Sequence, residues 1–210
     1  SMVDSDNQYY KHTVLVEQGL ITISAATMTG ISFGTATVLQ LLRNDNTNVT
    51  ITTCSLSDYS TCHCTAIMID PARSAYTLVE ICSLIDLCRF YKKRFIHVHA
   101  TDKNTFLLPW TPSNGIISPS DSAELAVYLS SKLPLLISYW NSAKTYGDAR
   151  GVHFIPEFEV SDGHWCNIFP NTLTFTPTDI CLNALLDMFT VVGNFFGNSS
   201  YFHVGNDEGN

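Results

Sequence analysis

The chain has 210 residues, 45% of them hydrophobic and 14% charged, with a formal net charge of −8. That composition excludes extended disorder and fits a globular chain sized for one or two domains. Ser, Thr, Asn or a charge interrupts every apolar run before the roughly 18 residues of a membrane span are reached. The acidic balance has no Lys/Arg cluster to offset it. Neither a spanning helix nor a nucleic-acid partner is expected.

Residues 1–8 are polar. Residues 10–16 and 20–25 then alternate apolar and polar side chains around Gln18-Gly19, which predicts a β-hairpin. Residues 32–42 place Phe33, Ala36, Val38, Leu39 and Leu42 at helical spacing behind Ser32, and residues 49–53 read as a strand. Together these make a small α+β unit over residues 1–60. From Thr65 the rhythm changes to strand then helix. Residues 66–69 read as a short buried strand, and 94–99, 152–157 and 201–204 as the three strands that follow it. Helices are predicted over 77–92, over 122–146 with a break at Pro134, and over 178–192. Two long loops are expected, over 101–121 and for about twenty residues after the third strand.

The seven cysteines are ambiguous. Cys54, Cys62 and Cys64 are a candidate loop disulfide cluster, whereas Cys82, Cys88 and Cys181 fall in apolar helical patterns and read as buried thiols. A metal at Cys62-His63-Cys64 is disfavoured, because one intervening residue is poor zinc spacing and no second pair follows. Ser1-Met2 reads as a cloning remnant, so the lack of a leader decides nothing. Asn48-Val49-Thr50 and Asn198-Ser199-Ser200 are glycan acceptors if the chain is secreted.

Repeated βα units imply a doubly wound sheet or a (β/α)8 barrel, and in both the chemistry lies past the C-terminal strand ends. Those ends carry Asp70 and Arg73, then His97, His99 and Asp102, then Glu157, Glu159 and His164, then His203, Asp207 and Glu208. In a chain so poor in charge, this recurrence points to one shared pocket.

At the same positions the sequence resembles glycoside hydrolase family 20, the β-N-acetylhexosaminidases. Ile69-Asp70-Pro71-Ala72-Arg73 is similar to that family's first-strand motif, and His97-Val98-His99-Ala100-Thr101-Asp102 to its second, His-x-His-x-x-Asp. Ile155-Pro156-Glu157-Phe158-Glu159 with Gly163-His164 resembles the third. His203-Val204-Gly205-Asn206-Asp207-Glu208 resembles the fourth, His-x-Gly-Gly-Asp-Glu. Gly30 to Leu42 is similar to the end of the small domain that precedes the family's barrel. Asn206 stands in place of the second Gly, Glu159 in place of Asp, and Lys103 in place of an acid.

The resemblance implies an incomplete (β/α)8 TIM barrel of about four βα units over residues 61–210, preceded by part of a small α+β domain over 1–60. It implies a retaining glycosidase in which the substrate's own 2-acetamido oxygen attacks the anomeric carbon. Glu208 would be the general acid and base, and Asp207 would hold the acetamido N–H. Arg73, Asp102 and His164 would bind substrate or support the acid; His97, His99, Glu157, Glu159 and His203 would line the pocket. No cofactor and no metal are implied. The substrate would be a glycan with a terminal N-acetylhexosamine, in a secreted or lysosome-like compartment.

Residues 65–210 are little more than half of the roughly 250 residues of a complete barrel. The fourth strand is therefore expected to be an open edge, completed by further sequence, a second chain or a homodimer, and the isolated chain is expected to have little or no activity. Two alternatives stay open. One is a noncatalytic half-barrel that binds a sugar or a partner chain; the other is a metal-dependent barrel hydrolase using His97, His99 and His164 with Asp207.

Overall fold

The computed structural model describes residues 9–62, 64–102, 105–113, 116, 123–159, 179–197, 199 and 201–205, with backbone alone for 179–181. The chain divides into two compact units. One comprises Ser1–Ile67, Cys82–Ile96 and Tyr146–His153; the other comprises Met68–Ile81, His97–Thr145 and Phe154–Asn210.

The first unit opens on an antiparallel hairpin of β1 (His12–Glu17) and β2 (Leu20–Ala25). Gly19 takes a φ of +79° in the turn, a conformation that costs glycine little. Strict burial alternation along β1 buries Val14 and Val16 and puts Leu15 and Glu17 outside. Helix α1 (Met28–Leu41) packs on both strands. It begins earlier than residue 32: Thr27 is the N-cap, its hydroxyl accepting from Gly30 N at 3.0 Å. Ser32 instead lies buried inside the helix and donates to the carbonyl of Arg150.

The expected strand over 49–53 shrinks to β4 (Val49–Thr50), paired with β3 (Arg43–Asn44). The third member of the hairpin sheet is β5 (Cys54–Asp58), which lies beyond the strand predicted over 49–53. Cys54, Cys62 and Cys64 are free thiols, which removes the expected cluster disulfide. Cys88 is buried, and burial pushes its thiol up to about 11, while Cys82 is only half-buried.

The second sheet holds β6 (Ala66–Ile69), β7 (Phe95–His99), β10 (His153–Glu159) and β11 (His203–Gly205) in the order β11-β10-β7-β6. The architecture is mixed α/β with a parallel sheet, β10 and β11 aligning Glu157 with His203 and Glu159 with Gly205. Between β6 and β7 runs α2 (Leu78–Phe90), opened by a capping box in which Glu80 Oε2 accepts from Thr77 N at 2.7 Å. The stretch expected as loop after β7 contains a short hairpin of β8 (Thr101–Asp102) and β9 (Thr105–Phe106).

The helix predicted to break at Pro134 is instead α3 (Ala123–Val127), a π-helical turn (Tyr128–Lys132) and α4 (Leu133–Asp148), in unbroken succession. Pro134 is the second residue of α4, just after the π-helical turn. The Leu133 N–H reaches back to Tyr128 O, five residues away, and the extra residue accommodates the proline. The last helix is α5 (Asp179–Phe195). Within the second unit Trp140 sits edge-on to Phe154 and Phe196 at 5.5 and 5.6 Å, and Phe158 to Phe189 at 5.9 Å. These aromatic pairs hold α4 and α5 against β10. The loop expected after β10 lies outside the described residues, as does the side chain of Cys181.

Candidate active site

The C-terminal ends of all four parallel strands belong to the second unit. Alternation along β7 places His97 and His99 on one face. Between them and His203 of β11 stands Glu157 of β10, a carboxylate with only 5% of its side chain exposed. Glu157 Oε1 lies 2.9 Å from His99 Nδ1 in a hydrogen bond; Oε2 lies 2.6 Å from His97 Nε2 and 3.3 Å from His203 Nδ1. Burial alone would raise the Glu157 pKa, but His97 and His99 outweigh it and hold the carboxyl down at about 2. The Glu157 carboxyl is therefore ionised at neutral pH. The His97 and His203 rings meet edge-on at 4.5 Å.

A second group adjoins the first through His99, whose Nε2 is 3.8 Å from Asp102 Oδ2. The same oxygen is 2.5 Å from Arg73 Nε, and Arg73 Nη1 donates to Asp70 Oδ2 at 3.1 Å. Two acids thus fix the plane of the Arg73 guanidinium while about half of that side chain faces solvent. Asp70 also accepts from Arg73 N at 3.0 Å, which sets the turn after β6. The Glu159 N–H donates to Thr101 Oγ1 at 2.8 Å, tying β10 to β8.

Of the residues singled out in the sequence, Arg73, His97, His99, Asp102, Glu157 and His203 come together in one connected set of charges. Glu159 is buried at the end of β10, one pleat beyond Glu157. His164, Asp207 and Glu208 lie outside the described residues; the last described residue of β11, Gly205, is two positions before Asp207 in the sequence.

Sequence reading missed the clamp role of Asp70 and the whole environment of Asp187. That buried acid of α5 accepts from Trp110 Nε1 at 2.9 Å, from Ser113 N at 3.1 Å and from the Ser113 hydroxyl. The available signal was a single acid on the buried side of an otherwise apolar helix. A cavity of about 370 Å³ lined by Tyr76, Phe106, Leu136, Tyr139 and Trp140 is mostly apolar and includes none of the charged cluster.

The site class is thus a polar, partly open cluster at the C-terminal ends of parallel strands, where α/β folds carry their chemistry. No family model matches the sequence, and no curated protein sequence does either. Solved structures do match in fold. The chitobiase of Flavobacterium johnsoniae superposes with a TM-score of 0.73 at 23% identity, covering 95% of this chain and 32% of that one. The family 20 exo-β-N-acetylglucosaminidase of Vibrio harveyi, solved with N-acetylglucosamine, gives 0.71 at 20% identity, over 99% of this chain and 37% of that one. The family 20 β-N-acetylhexosaminidase of Streptomyces coelicolor gives 0.73 at 17% identity, over 95% and 45%. The chain therefore has the fold of part of these enzymes and spans about a third to just under a half of their length. No helix among the described residues is long and apolar enough to cross a membrane.

Proposed function

We propose that this chain is the N-terminal portion of a retaining β-N-acetylhexosaminidase that removes terminal N-acetylglucosamine or N-acetylgalactosamine from glycans. The observation that carries the reading is the charged set at the strand ends of a fold shared, over nearly the whole chain, with family 20 enzymes. On this reading residues 1–60 are the end of a small α+β domain and 61–210 the first half of a (β/α)8 barrel.

In the reaction the substrate's acetamido oxygen displaces the leaving group, so the protein supplies a proton and charge stabilisation rather than a nucleophile. Glu208 donates the proton to the departing oxygen and later takes one from water. Asp207 orients the acetamido N–H and balances the oxazolinium charge. Adjacent carboxylates oppose each other's ionisation, which favours one proton between them. Arg73, held flat by Asp70 and Asp102, presents donors to hydroxyls of the terminal sugar. Asp102 and His164 support the acid, and His97, His99, Glu157, Glu159 and His203 form the wall.

The edge strands β6 and β11 bear Met68 and Val204, which are 57% and 52% exposed, and unpaired edges of this kind recruit further strands. Completion by a second chain, by a homodimer or by further sequence supplies the remaining wall. A secreted or lysosome-like location follows from the substrate, and Asn48, exposed in the β3–β4 turn, is then a glycan acceptor. A noncatalytic half-barrel that binds sugar is the second reading, favoured by the exposed β6 and β11 side chains.

The deciding experiment assays hydrolysis of a chromogenic N-acetyl-β-glucosaminide by the 210-residue chain and by the full product of the native reading frame. The expected result is little or no turnover by the chain, turnover by the full product, and loss of that turnover in Glu208→Gln. A native frame that stops at Asn210 with no turnover would overturn the enzyme reading in favour of the binding module.

A further inference from the structure

Between the turn after β6, the β8–β9 hairpin and helix α4 lies the apolar cavity of about 370 Å³, all of whose lining belongs to the second unit. Its walls are aromatic and already fixed. The Tyr139 hydroxyl donates to Tyr76 O at 3.1 Å, and Trp140 Nε1 donates to Leu107 O at 2.9 Å. The Tyr139 and Trp140 rings meet edge-on at 5.0 Å, and Phe106 meets Tyr128 in the same way at 5.5 Å. With those polar ends spent on carbonyls of the chain, the cavity offers an occupant ring and aliphatic surface. Preformed apolar cavities of this size are the usual form of a small-molecule site.

One charge reaches that surface. Lys132 closes the π-helical turn between α3 and α4 and lines the cavity, and no carboxylate pairs with it among the described residues. The extra residue of a π-helical turn re-aims the side chains around it, and such turns recur at functional sites. In a chain of net charge −8, an unpaired ammonium beside an apolar cavity favours an anion over a neutral or cationic guest. A flat ring suits walls made of ring edges and faces better than a flexible chain does, because it loses less freedom when it is held.

We propose that this cavity binds a planar aromatic carboxylate, with its ring against Phe106, Leu136 and Trp140 and its carboxylate on Lys132. The site adjoins the charged cluster without sharing a residue with it. Pro71 and Ala75 stand two positions to either side of Arg73, and Thr105 is the hairpin partner of Asp102. An occupant therefore braces the turn and the hairpin that carry the Arg73–Asp102 pair. The site is independent of the glycosidase reading and is tested by binding alone, without any turnover measurement.

The test is calorimetric titration of the 210-residue chain with naphthoate, beside the uncharged naphthylmethanol and the ringless octanoate. One naphthoate per chain is expected, with both comparison compounds binding more weakly. An exposed ion pair contributes up to about 1 kcal/mol, so Lys132→Gln should weaken naphthoate about three- to fivefold and bring it level with naphthylmethanol. Ala75→Trp sets an indole in the cavity from an exposed position, where the variant is expected to fold, and should abolish binding. Naphthoate should raise the Tm of the parent chain and leave that of Ala75→Trp unchanged. Absence of saturable binding at millimolar naphthoate, or binding that survives Ala75→Trp undiminished, would overturn the proposal. Equal binding of naphthylmethanol by the parent chain would remove the role of Lys132, and tighter binding of octanoate would remove the aromatic occupant; either result also overturns it.

Discussion

Gly205 lies opposite Glu159 in the β10–β11 register, and a methyl group added at 205 would run into the Glu159 carboxylate and stand 2.8 Å from Glu157 Oε1. The last residue of the fourth strand must therefore be small so that two buried acids can share the space beside it. Glu157 is held in place by His97 and His99, so the space for a methyl group must come from Glu159 or from the strand itself. Gly205→Ala should lower stability by about 1–3 kcal/mol, the usual cost of overpacking. Urea unfolding measures it. A loss below a few tenths of a kcal/mol would mean that β11 moves away freely.

Asp187 is a different kind of buried acid, one that serves donors rather than histidines. Removing its carboxylate in Asp187→Ala strands the buried Trp110 Nε1, which now donates to it, whereas Ser113 is exposed and its N–H can turn to water. A buried donor left unsatisfied costs about 1–3 kcal/mol, so a loss in that range is expected. Asp187→Asn keeps an acceptor and should recover part of that loss. Equal losses for the two variants would show that the helix needs the charge and not the acceptor.

What was legible in the sequence was whatever depends on periodicity. The β1–β2 hairpin declared itself because alternation along β1 maps onto burial, and the strands of the second sheet declared themselves as apolar runs, buried throughout in β7 and β10 and largely exposed in β6 and β11; the polar strand ends followed from counting where those runs stop. Capping and packing were less visible. The predicted helix starts behind Ser32, yet α1 begins at Met28 with Thr27 as its cap, and it takes in Gly30 and Gly34, where an added Cβ would run into Ala25 and Ile23. Strand β5 reads Cys-Ser-Leu-Ser-Asp, and its apolar content is too low for a pattern that only its pairing with β1 explains. The convergence of His97, Glu157 and His203 on one point depends on the order β11-β10-β7, which no local pattern carries.

His153 opens β10 and supplies a pH dependence in the first unit. Burial lowers its pKa below the ordinary 6.5, and the contact with Asp148 at 2.9 Å raises it but does not win. The folded state therefore binds fewer protons than the unfolded chain near and below that value, so stability held above pH 6.5 is lost as the pH falls through it. The urea midpoint should drop between pH 7 and pH 5.5, and His153→Gln should flatten that part of the profile. An unchanged slope in the variant would assign the acid sensitivity to other groups.

Arg73 connects two acids of unequal burial, and that inequality fixes which mutation hurts. The side chain of Asp70 is 29% exposed, that of Asp102 only 5%. Losing the solvent-facing partner costs little, since exposed ion pairs are worth about 0–1 kcal/mol. Losing the arginine leaves the buried Asp102 carboxylate with, among the described residues, the more distant His99 at 3.8 Å. Uncompensated buried charges are strongly destabilising, by about 3–5 kcal/mol when a pair is broken in full burial. Arg73 is itself half-exposed and water can reach its place, so the expected cost of Arg73→Ala is lower, about 2 kcal/mol, and still larger than that of Asp70→Ala. Arg73→Lys should recover little, because an ammonium cannot address both carboxylates in the plane of a fork. The double variant Arg73→Ala/Asp102→Asn completes the cycle: removing the stranded charge should restore most of the loss. Failure of Asp102→Asn to rescue would show that Arg73 acts through the packing of its aliphatic stem and not through its charge.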